Sequence, residues 1–267
     1  MRIAINHRLT ISPPPGTGML VLQVLLTPRD TAGQTVTHWQ VDIEGSDKAA
    51  RFTDAFGNDM LLVNIPRPED ELALVVTGEV ETRDLAGVLG KPAGEPVVAL
   101  YKRLTKAAES PEGIVERFKG SAETRLSVLH GLMAAVGSHF GIRSDGAEQS
   151  QMQADGARGQ SQRQPADQVD AAALAHGFVG ACSDLDIPAR LVTGYLLDAP
   201  QGISPFHIWA EAYDDGLGWI GFDPSIQLCP TDRHVRLATG LDLGDAQPLK
   251  MVPASDIRHD EISVRSA

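Results

Sequence analysis

The chain has 267 residues, of which 42% are apolar, so it can fill two modest globular domains. Its formal net charge of -12 argues against nucleic-acid binding, which rests on clustered Lys and Arg, and the run from Arg233 to Arg236 is too short to supply such a cluster. No stretch approaches the roughly 18 to 20 apolar residues of a membrane span.

The first seven residues lack an apolar secretory region and a cleavage site, so a cytoplasmic protein is expected. The only cysteines, Cys182 and Cys229, do not make a disulfide framework and are expected to pack as small apolar groups.

Residues 1–100 read as β-rich. Segments 19–26, 35–43 and 71–81 have strand composition or alternation. The breaks at 13–18 and 56–59 carry Pro, Gly and Asn turn chemistry. Short strands separated by such breaks suggest a β-sandwich. Helical signals begin at Ser110-Pro-Glu112, a cap followed by a proline at the first helical position and an acid. A clearer helix is expected over about 121–141. There Leu126, Leu129, Met133, Val136 and Phe140 recur at three- and four-residue spacing, with Gly141 as the stop.

Residues 144–168 are dominated by Gln, Ser, Gly, Ala and Asp and are expected to form a mobile loop, with a lid or partner-binding segment as the alternative. Good helix formers then run from about 166 and end before Asp186-Ile-Pro188. Strands are expected over 189–195, 207–213 and 219–223, with a hairpin turn at 214–218.

Three phrases in this last part are distinctive: Leu185-Asp-Ile-Pro-Ala-Arg-Leu-Val-Thr-Gly-Tyr-Leu196, Phe206-His-Ile-Trp-Ala-Glu-Ala-Tyr213 and Gly216-Leu-Gly-Trp-Ile-Gly-Phe-Asp-Pro-Ser225. Together they resemble the core of the bacterial transglutaminase-like family. Leu26-Thr-Pro-Arg-Asp-Thr31 and Asp54-Ala-Phe-Gly-Asn58 resemble its N-terminal domain, and the segment 231–240 resembles its closing region. The resemblance implies an α+β fold: an N-terminal β-sandwich over 1–100, then a papain-like transglutaminase core over 101–250 with helices packed on an antiparallel sheet. Residues 251–267 are left as a C-terminal tail.

The resemblance also implies a Cys-His-Asp triad, in which a helix N-terminus stabilises a thiolate, a His on a strand pairs with it, and an Asp fixes the His tautomer. His207 and Asp223 fall on the His and Asp positions. The nucleophile position falls on Ala171 and the following Asp position on Ala173, while Ala175-His176 falls on the family's Ala-His pair. A gapped alternative deletes the nucleophile turn altogether. Under either alignment no cysteine precedes residue 182.

Cys182 lies three helical turns beyond Ala171, about 16 Å along the axis, and is expected to be a structural thiol. Cys229 is the remaining candidate for a displaced nucleophile, and Ser204 suits a turn better than an attack on substrate. Trp209, His176 and Trp219 are the candidate binding residues, with core packing as the plain reading of both tryptophans. His176, His207 and Asp223 lack the tight spacing of metal ligands, and neither a metal nor a cofactor is expected.

Two functions follow. One is a non-catalytic binding or regulatory protein with a protein or peptide partner, an active homologue among them, and no nucleic-acid or membrane partner. The other is a hydrolase or acyltransferase built on an altered site around His207, Asp223 and Cys229.

Overall fold

Every pair of neighbouring strands in the computed structural model, which describes residues 1–142 and 170–267, runs antiparallel. The loop expected over 144–168 lies outside the described residues. The N-terminal half supplies β1 (Arg2–Ser12), β2 (Met19–Thr27), β3 (Gln34–Asp42), β4 (Ala50–Thr53), β5 (Asp59–Pro66) and β6 (Leu72–Thr82). A short β7 (Val88–Gly90) follows, then α1 (Arg125–His139) and α2 (Ala171–Asp184). The chain continues through β8 (Ala189–Leu196), β9 (Phe206–Asp214), β10 (Gly218–Phe222) and β11 (His234–Gly240). It closes with α3 (Leu243–Ala246), β12 (Leu249–Val252) and β13 (Asp256–Ser266).

Two four-stranded sheets, ordered β13-β1-β6-β3 and β12-β2-β5-β4, enclose an apolar core. Period-2 alternation explains their pairing: Ile3, Ile5, Leu9 and Ile11 of β1 face inward and meet Leu20, Leu22 and Val24 of β2. Tyr195 of β8 and Leu197 just after it, with Val235 and Leu237 of β11, belong to the same buried cluster. The sandwich therefore sits directly on one edge of the third sheet, β11-β8-β9-β10-β7.

The helices contribute to a second cluster. Leu174, Phe178, Ala181 and Cys182 of α2 are buried together with Ala210, Ala212, Ile220 and Phe222 of the five-stranded sheet and with Leu129, Leu132 and Val136 of α1. Small alanines on β9 let α2 approach closely.

Several expectations are corrected. The segment 251–267 is not a tail: β13 pairs with β1 from Ile3↔Ser266 to Ser12↔Asp256. Its polar outer positions belong to an edge strand, where charged side chains discourage further pairing, and such a strand reads as a solvated end. The domain boundary near 100 also fails, because Val88 and Gly90 pair with Ile220 and Trp219, so the N-terminal hundred residues contribute a strand to the core sheet. No α-helix starts at Ser110. Gly113 at φ 77° and Gly120 at φ 69° hold the backbone in the left-handed region, and only a single 3-10 turn, Glu116–Phe118, forms between them. The helix cap is Thr124, whose side chain accepts the Ser127 amide. Phe140, expected on the buried face, is 42% exposed at the end of α1.

Candidate functional site

β9 carries two rows of side chains. Ile208, Ala210 and Ala212 pack with the helices and α3, and His207, Trp209 and Glu211 occupy the other row. β10 ends at Phe222, opposite Ala210, so Asp223 leaves the sheet just where the His207 ring needs a partner. The Asp223 amide and carbonyl bond across a turn to Leu228, which fixes the carboxylate.

That carboxylate is a hub. Its Oδ2 lies 2.6 Å from His207 Nε2 and 3.4 Å from His234 Nε2. Its Oδ1 accepts the Ser225 hydroxyl at 2.6 Å and the Ser225 amide at 3.1 Å. Asp223 is fully buried, which alone would raise its pKa; hydrogen bonds from His207 and His234 outweigh burial and hold it well below the usual carboxylate range. An ionised carboxylate only accepts, so the shared proton sits on His207 Nε2. In the neutral ring the free lone pair is then on Nδ1. Nδ1 is buried and has no hydrogen-bond partner among the described residues. His234 Nδ1 accepts the Thr231 amide, which likewise leaves its Nε2 to donate to Asp223. Trp209 lies nearly parallel to the His207 ring at 6.3 Å and 24°, and the His234 ring meets Trp209 edge-on at 5.4 Å.

The start of β9 and the first turn of α2 meet in an open depression of about 370 Å³ lined by Asp170, Ala171, Ala172, Ser204, Phe206, His207 and Ile208. Ala171, the residue expected at the nucleophile position, and His207 thus line the same depression. Asp170 caps α2 by accepting the Ala173 amide at 3.0 Å, so a carboxylate already occupies the helix N-terminus. Ser204 Oγ accepts the Phe206 amide, a turn contact. Ser225 Oγ gives its proton to Asp223 and lies 3.4 Å from the protonated nitrogen of His207, the wrong side of the ring for activation.

The remaining candidates lie elsewhere. Cys182 is fully buried in the helix cluster, and burial pushes its thiol pKa up. Cys229 is half-buried with its thiol also pushed up by burial. It packs over Gly87, where an added Cβ would come within 2.8 Å of the Cys229 Cβ. Neither sulfur is a hydrogen-bond partner of His207 among the described residues. His176, expected in the binding set, instead accepts the Leu243 amide at 3.0 Å and caps α3. Trp219, also a candidate binding residue, stacks on Arg190 at 3.9 Å with Tyr101 and Tyr213 at its edges, as core packing would have it. The helical turn between positions 171 and 176 and the lateral offset between β9 and β10 separate these residues from the site.

Sequence reasoning missed Ser225 and His234. Ser225 stands two residues after Asp223, the spacing at which a carboxylate bonds its own downstream backbone. His234 carried no comparable cue, because its approach depends on β11 pairing with β8 across the sheet.

Residues 3–81 match the bacterial transglutaminase-like N-terminal region, and residues 112–224 match the transglutaminase-like superfamily. No curated protein matches the chain. Among solved structures, a protein described as a candidate cysteine protease from Cytophaga hutchinsonii aligns with 99% of this chain and 89% of its own, at 18% identity and a TM-score of 0.68. That likeness speaks to the fold. The periplasmic domain of TgpA from Pseudomonas aeruginosa aligns with 83% of this chain and 87% of its own, at 16% identity and a TM-score of only 0.32. With both family regions present in order, and His207 of β9 paired with Asp223 just past the end of β10, the chain belongs to the transglutaminase-like superfamily.

Proposed function

We propose that this protein is a non-catalytic member of its superfamily, a binding or regulatory protein in which the base and its carboxylate persist without a nucleophile. The observation that carries this reading is the His207 ring: Nε2 is held by Asp223 at 2.6 Å, Nδ1 has no partner among the described residues, and the helix start across the depression offers alanine. An alanine methyl cannot attack a carbonyl. A base without a nucleophile retains little transition-state stabilisation. The depression is suited to a side chain or short extended segment of a peptide or protein partner.

The hydrolase or acyltransferase reading needs His207 and Asp223 to polarise a water, or Cys229 to be recruited as nucleophile; a base acting alone retains little transition-state stabilisation. The Cys229 thiol is disfavoured as a thiolate by burial and makes no hydrogen bond with His207 among the described residues.

Ala171→Cys tests how far the site has decayed. The introduced thiol would stand beside the Asp170 carboxylate, which disfavours the thiolate, where an active enzyme has free helix N–H groups. The expected result is slow alkylation at pH 7, an alkylation pKa at or above about 8.5, and no amide, ester or acyl-transfer turnover. Fast alkylation with thiol-dependent turnover would show that Ala171 alone separates this protein from an enzyme.

A further inference from the structure

The inward row of β1 reads Ile3, Ile5, His7, Leu9, Ile11, all buried, with a histidine where the pattern calls for an apolar residue. Its ring connects three distant parts of the chain. Nδ1 lies 3.0 Å from the hydroxyl of Tyr195 on β8, and Nε2 lies 2.8 Å from Nδ1 of His259 on β13. The two imidazoles stack at 5.0 Å and 18°. Phe206, at the start of β9, packs on His7 at 5.5 Å, on Tyr195 at 5.3 Å and on His259 at 6.2 Å. Phe206 directly precedes His207 and lines the depression.

We propose that His7 and His259 form an acid-released latch that holds the C-terminal strand β13 on β1 and ties both to the core through Tyr195 and Phe206.

The contact between His7 Nε2 and His259 Nδ1 is satisfied by one proton. With both rings protonated, two N–H groups meet head to head and the contact breaks. The charged and titratable groups around the pair offer His7 no compensating carboxylate. β8 presents Tyr195, β6 presents Val76 opposite His7, and β9 presents Phe206. On β13, Asp260 favours a charged His259, but it accepts the Thr10 hydroxyl at 2.6 Å and Arg258 Nε at 2.7 Å, with Arg8 also nearby.

Burial, then the neighbouring His259, pushes His7 down from 6.5 to about 4. Burial also lowers His259, partly offset by Asp260. A histidine whose folded pKa is depressed is fully accommodated above the ordinary value. As pH falls below about 6.5 the open state takes up a proton that the closed state refuses, until the closed state is itself protonated near 4. β13 is the element free to move, since it is an edge strand paired with β1 alone among the described residues.

Amide hydrogen exchange followed by NMR, corrected for intrinsic rates, tests this on the whole chain. Opening of β13 is expected to be about twentyfold more frequent at pH 5 than at pH 7, with α2 unchanged. In His7→Phe most of that pH dependence should be lost, leaving only the smaller share from His259, while β13 stays protected at pH 7. Should this variant fold poorly, the His7 ring signal of the wild type decides: titration near 4 supports the latch. Titration near 6.5 with unchanged β13 protection, or an equal rise in exchange across α2, overturns it.

Discussion

Asp223→Ala is expected to lower the stability of this protein by about 3 to 5 kcal/mol, read from the shift in urea midpoint at pH 7. The carboxylate is fully buried and accepts from four groups: His207 Nε2, His234 Nε2, and the hydroxyl and amide of Ser225. Truncation leaves those donors buried without an acceptor, and each such group costs about 1 to 3 kcal/mol. The effect carries a pH signature. The Asp223 pKa is lowered in the folded state, so its contribution is present above the unfolded value of about 3.9 and is lost as pH falls below it. The gap between wild type and Asp223→Asn should therefore be wide at pH 7 and narrow below about pH 4. A gap that does not change with pH would mean that the pair is not ionised in the folded protein.

Arg190→Met is expected to be the second most damaging single change, at about 3 kcal/mol. Arg190 is 1% exposed on β8, stacked under Trp219, and its Nε donates to Glu211 Oε2 at 2.6 Å. It also bonds to Glu95 from the linker between sandwich and core, and Arg236 reaches Glu211 Oε1 at 3.0 Å. Burial alone would lower the Arg190 pKa; Glu211 and Glu95 outweigh it and keep the guanidinium charged. Burial would raise that of Glu211, and Arg236 with Arg190 pulls it below the ordinary range. Removing Arg190 strips Glu211 of one partner, although Arg236 remains. The double variant Arg190→Met/Glu211→Gln should recover more than half of the loss, since a buried carboxylate no longer needs two cations. Equal losses in single and double variants would show that packing against Trp219, not charge pairing, dominates at this position.

How much of this was legible in the sequence varied with the range of the forces involved. Segments 19–26, 35–43 and 71–81 correspond closely to β2, β3 and β6, because alternation and β-branched content are local properties. The hairpin at 214–218 and the end of α2 before Pro188 were likewise written in turn chemistry and proline sterics. The pairing of His207 with Asp223 came through resemblance to a family, and the geometry bears it out at 2.6 Å.

What the sequence hid was non-local. β13 is polar on its exposed side, and its ladder with β1 spans almost the whole chain. The service of β7 to the core sheet depends on where the linker passes, which no window of ten residues encodes. Trp219 was a candidate binding residue with core packing as its plain reading, and the structure buries it with its ring stacked on Arg190. His176 looked like a site residue because of its place in the motif, but five residues of helical rotation aim it at α3 instead.

The proposed non-catalytic role requires that His207 activate no thiol, and site-resolved alkylation tests that most directly. Wild type and His207→Ala would be treated with iodoacetamide at pH 7, with labelling at Cys182 and Cys229 followed by mass spectrometry. Slow labelling that is the same in both proteins is the predicted result: Cys182 is buried, and Cys229 is raised in pKa and makes no hydrogen bond with the imidazole among the described residues. Rapid labelling of Cys229 that disappears in His207→Ala would contradict the account and restore a working thiol to this site.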